Sequence, residues 1–306
     1  MSASTTVIGL DLGGSKTHGV IAPAAPPEPS SPVREMLAGS ANITSVGAAE
    51  VTRQLSTLFE GLGEDGIGAV CAGAAGVDTP EQERRLHEII QGLIPRARVR
   101  IVHDTHLILA AAGVEHGIAL IAGTGSVAWA RTPDGRTARA GGWGYLLGDE
   151  GSGYWVGRAA VRHALRLADE GRQPDRLAQQ LAADCGLQCP GELLDHFYAT
   201  PERRYWAGHS RLVFEQAAVN DPAAVGIVDR AADALAELIV TVGRRVGEAG
   251  PVVLGGGLVM HQALLQDRLR QRLKGAGLTD IRVLDRDPVH GADHLARELI
   301  NTRPGD

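Results

Sequence analysis

Cysteine is scarce: Cys71, Cys185 and Cys189 are the only three in 306 residues. So small and odd a set in a long chain argues against a disulfide scaffold and for a reducing compartment. The one close pair, Cys185 and Cys189, is spaced C-x3-C without a second pair, which argues against a four-ligand zinc site. Long apolar runs are absent too. No window of about 18 apolar residues occurs, so no membrane-spanning helix and no membrane partner are expected. Residues 1–20 lack the basic start, apolar stretch and small-residue cleavage site of a secretory leader, which makes the cytoplasm the expected location. Charge of one sign is not in excess: 30 basic and 36 acidic residues give −6 without long like-charged blocks. That leaves no electrostatic footprint for nucleic acid or an anionic membrane. Two common nucleotide-binding motifs are also missing. No G-x-G-x-x-G opens a helix after the first strand, and no G-x-x-x-x-G-K-[ST] occurs.

What is present is an ordinary globular composition, 44% hydrophobic and 22% charged, in a chain long enough for about two domains. The one outlier is glycine, 40 residues, roughly 13% against a usual share of about 7%. Proline, at 15, is unremarkable, so glycine placement is the informative variable.

Residues 5–10 form a β-branched run, then comes Asp11-Leu-Gly-Gly-Ser-Lys-Thr17, then a second apolar run at 18–22. Two strands joined by a Gly-rich turn is the economical reading. Five prolines in residues 23–32 mark a surface loop. Helical spacing appears at 46–62 and 81–93, with strands at 67–72 and 99–102, the latter ending at His103-Asp104. A short helix at 107–112 leads to a second strand, Gly turn, strand unit: 118–122, Gly123-Thr-Gly-Ser126, 127–130. Helices at 154–169 and 223–246 come next, then a strand at 251–254 entering Gly255-Gly-Gly257, a helix at 261–274, a strand at 281–284 and a closing helix. Strands alternating with helices in two halves predict an α/β fold: an N-terminal domain over 1–113, to which the closing helix at about 290–301 returns, and a C-terminal domain over 114–289 with a helical insertion.

The glycine turns carry the chemistry. Gly13 and Gly14 let backbone N–H groups approach an anion with no Cβ in the way, Ser15 adds a hydroxyl donor and Lys16 a charge. Asp11, at the strand end, is placed to hold Mg²⁺ through water. A plain hairpin with a solvated Asp is the alternative. The turn at 123–126 repeats the device, and 255–257 suits tight packing or a nucleoside lying against backbone. The segment 141–153 packs six glycines around Trp143 and the pair Asp149-Glu150. An aromatic beside a carboxylate offers a sugar an apolar face and a hydroxyl acceptor; core filling is the alternative for Trp143. Asp104 ends a strand, where open parallel sheets bind ligands. It is either a general base for an attacking hydroxyl or the N-cap of the helix after it. His103 and His106 flank it without a third ligand at metal spacing and read as surface or cleft-wall residues.

Taken together, Asp11-Leu-Gly-Gly-Ser-Lys, Val102-His-Asp104, Leu120-Ile-Ala-Gly-Thr-Gly-Ser126, Gly141-Gly-Trp-Gly with Gly148-Asp-Glu-Gly-Ser152, and Leu254-Gly-Gly-Gly257 resemble the N-acetylglucosamine kinase branch of the BadF/BadG/BcrA/BcrD ATPase family, within the sugar kinase, actin and Hsp70 superfamily. The five motifs fall in one order from about residue 7 to about residue 298. The resemblance implies two ribonuclease-H-like (actin-like ATPase) domains whose interdomain cleft closes over ATP, Mg²⁺ and a hexosamine, and phosphorylation of the sugar's 6-hydroxyl. N-acetylglucosamine is the implied substrate, with glucosamine the alternative; a partner-activating ATPase of the dehydratase type is the other. It further implies that Gly13, Gly14, Ser15 and Lys16 bind the β- and γ-phosphates with Thr124 and Gly125, that Gly256 and Gly257 lie against adenosine, and that Asp104 takes the 6-hydroxyl proton. Asn42, Ser126, Gly142, Trp143, Gly144 and Asp149 match sugar-contacting positions. Ser15 stands where such kinases usually have Thr, and Val127 where the animal enzymes carry Asn. The iron–sulfur ligand region of the dehydratase activators is not matched, leaving Cys185 and Cys189 as free thiols. Kinases of this branch are often dimers, and a homodimer is the implied assembly. By this reading 15 of the 40 glycines, Gly9 and Gly291 included, lie in ligand turns.

Overall fold

The computed structural model describes residues 5–14, 16–25, 33–63, 66–77, 79–247 and 250–301. The chain divides into two compact units, one made of Met1–Glu115 with Leu284–Asp306 and the other of His116–Val283. Both are α/β, and each is built on a five-stranded mixed sheet of one topology.

In the first unit, β1 (Thr6–Leu12), β2 (Thr17–Pro23) and β3 (Arg34–Ala38) form an antiparallel meander. β4 (Ile67–Ala74) and β5 (Arg98–His103) add parallel strands on the other side of β1, giving the order β3-β2-β1-β4-β5. β4 is buried along nearly its whole length, as a parallel strand covered on both faces must be. α1 (Ile43–Leu62) starts where Asn42 accepts hydrogen bonds from the Thr44 and Ser45 N–H groups. Val51, Leu55, Leu58, Phe59 and Leu62 then recur at helical spacing and pack on the sheet. Burying each of the larger ones contributes roughly 1.5–3 kcal/mol. α2 (Pro80–Leu93) opens with a capping box between Thr79 and Gln82 and proline at its first position. α3 (Asp104–Ala111) comes directly after β5, three residues earlier than the sequence pattern placed it.

In the second unit, β6 (Gly117–Ala122), β7 (Ser126–Arg131) and β8 (Thr137–Gly141) make the meander. α4 (Gly153–Asp169), the short helices α5 (Arg176–Asp184), α6 (Leu193–Ala199), α7 (Arg203–Gly208) and α8 (Ser210–Ala218), and α9 (Pro222–Val246) lead to β9 (Val252–Gly255). α10 (Gly257–His261), α11 (Ala263–Gly275) and β10 (Ile281–Val283) complete the order β10-β9-β6-β7-β8. α9 begins at an Asp221 cap with Pro222 behind it and ends at Gly247 in the left-handed region. Its apolar stripe and Trp206, the largest fully buried side chain, centre this core.

From Leu284 the chain belongs again to the first unit, where α12 (Val289–Asn301) lies across β1 and α3. Two glycines permit that contact. A Cβ on Gly9 would strike the Asp293 nitrogen, and one on Gly291 would fall on the Leu107 carbonyl. Both therefore serve backbone packing, which corrects their assignment to ligand turns. No helix among the described residues is long and apolar enough to cross a membrane.

Candidate active site

The three parallel strands of the first unit end side by side, with Leu12, Ala74 and His103 in one row. The turn or helix after each strand lies beyond the carboxyl edge of the sheet, where open α/β sheets take ligands. After β1 comes the hairpin turn, closed by the Gly13 N–H donating to the Lys16 carbonyl at 3.0 Å. Gly14 and Lys16 are exposed there; Ser15 lies outside the described residues. Ser40 Oγ donates to the Gly13 carbonyl at 3.2 Å and steadies the turn. After β4 comes a turn through Gly76, to whose carbonyl Thr44 Oγ1 donates at 2.8 Å. Sequence reasoning overlooked this second turn, although a Gly-Ala-Ala-Gly run at the end of a buried strand marks it. Asn42 lies against it: its Oδ1 caps α1, while its Nδ2 meets no acceptor among the described residues.

After β5 comes Asp104, and the local geometry decides between its two readings. The N-cap of α3 is His103, whose Nδ1 accepts from the Thr105 N–H at 3.3 Å and lies 2.8 Å from Thr105 Oγ1. The capping alternative for Asp104 is thereby overturned, and its carboxylate is spared that task. Asp104 Oδ1 is buried and has no hydrogen-bond partner among the described residues. His103 Nδ1 stands 2.9 Å away, but that nitrogen is engaged with Thr105. A buried acceptor without a donor is costly unless a ligand or proton completes it.

Asp11, half-buried at the end of β1, is pushed up to about 7, chiefly by burial and then by the charges of Asp104 and Asp287, with Lys16 acting in the opposite sense. Asp287, just ahead of α12, was not singled out from sequence. Nor was buried His18, which faces Asp11 across the β1–β2 register. His18 Nε2 lies 3.1 Å from Glu35 Oε2, and its Nδ1 lies 3.6 Å from Asp287. Three carboxylates coupled at one sheet edge attract a cation. Among the described residues no three His, Cys, Asp or Glu side chains form a direct ligand set. The donors therefore fit Mg²⁺, which keeps most of its waters and takes one or two carboxylates besides phosphate oxygens.

In the second unit, β6 and β9 run parallel with Ile121 opposite Gly255, so two glycine turns adjoin. The 123–125 turn is closed by the Gly123 N–H donating to the Gly125 carbonyl at 3.0 Å, with Thr124 at its tip. Beside it Gly256 holds φ +96, and a Cβ there would lie 2.6 Å from the Ala122 carbonyl oxygen, so only glycine fits. Gly257 has open space where a Cβ would be. The 141–153 loop wraps the same edge. Asp149, in the left-handed region that Asp tolerates, accepts from the Ser126 N–H at 3.2 Å, and Ser126 Oγ donates to the Glu150 carbonyl at 2.8 Å. Both side chains are buried and brace the loop, and burial leads the causes that hold the Asp149 carboxyl above its ordinary value. Gly142 and Gly144 take left-handed conformations on either side of Trp143, which is 69% exposed. The core-filling alternative for Trp143 is therefore wrong. Arg139, missed from sequence, donates to the Gly142 and Gly141 carbonyls at 2.6 and 3.2 Å and lies over the Trp143 ring at 5.2 Å.

The three cysteines are free thiols, Cys71 buried and Cys189 exposed. Cys185 lies 3.7 Å from His209 Nε2, and Cys189 3.6 Å from Glu192.

Residues 8–294 match the BadF/BadG/BcrA/BcrD ATPase family. Over 200 residues the chain is 36% identical to the N-acetylmuramic acid/N-acetylglucosamine kinase of Clostridium acetobutylicum, covering 63% of this chain and 64% of that one, slightly under two thirds of its length. Over 217 residues it is 30% identical to the N-acetyl-D-glucosamine kinase of Dictyostelium discoideum, covering 68% of each. The crystal structure of a candidate N-acetylglucosamine kinase from Porphyromonas gingivalis is similar with a TM-score of 0.76 at 25% identity, covering 96% of this chain and 99% of that one.

Proposed function

The chain belongs to the BadF/BadG/BcrA/BcrD ATPase family, and on that premise we propose that it is an ATP-dependent sugar kinase that phosphorylates an amino sugar, N-acetylglucosamine, at its 6-hydroxyl. The observation that carries the reading is Asp104: a carboxylate at a strand's carboxyl end, relieved of capping by His103, with a buried oxygen that has no hydrogen-bond partner among the described residues. An incoming hydroxyl supplies the missing donor. Asp104 would then accept its proton as the oxygen attacks the γ-phosphorus and the bond from that phosphorus to the bridging oxygen breaks to release ADP, which is the part a single base plays in phosphoryl transfer. The names of the Clostridium and Dictyostelium relatives support the acceptor class.

The remaining residues take complementary roles. Gly13, Gly14, Ser15 and Lys16 would hold the β- and γ-phosphates, as would Thr124 and Gly125; Gly256 and Gly257 would lie flat against adenosine. Asn42 Nδ2 would donate to the sugar, with Trp143 giving an apolar face, Gly142 and Gly144 backbone groups, and Asp149 its second oxygen. Ser126 would keep that loop in place. Asp11 would hold Mg²⁺ through water, and the bound ion would neutralise charge on the phosphates. Positioning the hydroxyl in line with the γ-phosphate is the larger share of the catalysis.

Coupled ADP release over N-acetylglucosamine, N-acetylmuramic acid, N-acetylmannosamine, glucosamine and glucose tests this, with N-acetylglucosamine expected to give the highest kcat/KM. Asp104→Asn should lower turnover by roughly 10² to 10⁴ with ATP binding nearly intact. ADP release indifferent to every sugar, or near-normal turnover in that variant, refutes the reading.

A further inference from the structure

Along α4 the sequence sets Arg158, Arg162 and Arg166 at i, i+4 and i+8, on one face of the helix. With Arg230 of α9 they line a groove of about 500 Å³, to which Trp155 adds an aromatic wall and Asp169 the only carboxylate among the lining residues. That volume is in the range of small-molecule sites. The charge around it is unbalanced, four guanidiniums against one carboxylate in a chain of net charge −6. Local partners answer part of the imbalance. Arg158 lies over the Tyr154 ring at 5.6 Å, Arg166 approaches Glu170 at 3.8 Å, and neighbouring His163 is bound to Asp175 at 2.6 Å. Arg162 and Arg230 are exposed and make no hydrogen bond or ion pair with another described residue. Like charges four apart on a helix repel, so this clustering is a cost that a bound anion relieves.

We propose that the α4–α9 groove is a binding site for a phosphate-bearing small molecule, its phosphate oxygens held by Arg162 and Arg230 and its ring portion lying beside Trp155. The planar guanidinium fork matches phosphate in a way a point charge does not. The site lies within the second unit and uses none of the residues assigned above to ATP or sugar. Isothermal titration with inorganic pyrophosphate, glucose 6-phosphate and AMP, on the wild type and on the Arg162→Ala/Arg230→Ala double variant, tests it. At least one probe should bind the wild type and weaken at least about tenfold in the double variant, because hydrogen bonds to charged groups are worth that much. The variant's thermal midpoint and its KM for ATP should not move, since both arginines are exposed and belong to none of the motifs above. Binding of the sugar phosphate or of AMP alone identifies the ring portion, and binding of all three assigns recognition to the phosphate itself. Equal affinity of both proteins for every probe overturns the proposal. So does the absence of any wild-type binding tighter than about 1 mM.

Discussion

Asp11→Asn separates the cation reading of Asp11 from a plain hairpin turn. The folded protein holds this carboxyl at about 7 instead of its ordinary 3.8 because burial and the charges of Asp104 and Asp287 oppose ionisation. Since the folded value is the higher one, the unfolded chain releases the proton first as pH rises. Stability therefore falls between about pH 4 and pH 7 and levels off above. At about 1.4 kcal/mol per pK unit the full rise corresponds to an upper bound of about 4 kcal/mol. Partial solvent access and shared coupling with Asp104 reduce this to an expected 1–2 kcal/mol, on the order of a surface-screened interaction. Asparagine cannot ionise, so the variant should match wild type near pH 4 and exceed it by about that amount at pH 8 without divalent cations. Urea unfolding followed by circular dichroism at both pH values measures the difference. Adding Mg²⁺ and ATP should stabilise wild type and leave the variant much less changed. Parallel stability profiles for the two proteins from pH 4 to pH 8, or a variant less stable than wild type at pH 8 without cations, would refute the reasoning.

Arg139→Ala removes the donors that hold the Gly141 and Gly142 carbonyls and the cation over Trp143. Steady-state kinetics should show kcat/KM for the sugar falling about tenfold or more while KM for ATP stays within about twofold, since charged hydrogen bonds carry about 1.5–3 kcal/mol; equal effects on both substrates would assign Arg139 a general folding role. Gly291→Ala pushes a methyl onto the Leu107 carbonyl where α12 crosses α3, and chemical denaturation should record a loss of about 1–3 kcal/mol. Gly92→Ala, in α2 with nothing within 4 Å of the new methyl, should instead gain about 0.5–1 kcal/mol.

The strongly periodic segments were legible. β1, β2, β4, β6 and β9 are apolar runs bounded by glycine, and α2, α4 and α9 combine an amphipathic stripe with a cap, so period and punctuation agree. β3 and β8, which the sequence pattern assigned to no element, each lie at one edge of their sheet; Arg-Glu-Met-Leu-Ala and Thr-Ala-Arg-Ala-Gly need face little core and so carry little apolar signal. The helix read at 261–274 is α11, whereas the short α10 before it, parted from it at Gln262 where the backbone leaves the helical region, was missed because five residues carry too little periodicity.

By itself the sequence determined the class of the fold, the three glycine turns and the pair Asp11 and Asp104, because strand period, backbone freedom and motif order are local properties of the chain. Which glycines serve a ligand and which serve packing was a tertiary matter: Gly9 and Gly291 look like their neighbours until α12 is laid on β1 and α3. So was the sorting of roles around Asp104. That His103 rather than Asp104 caps α3, that Asp287 reaches Asp11 from 276 residues away, and that Arg139 grips the Trp143 loop all depend on distances through space. Electrostatic coupling and steric exclusion act over a few ångströms irrespective of sequence separation, and only the folded chain sets those distances.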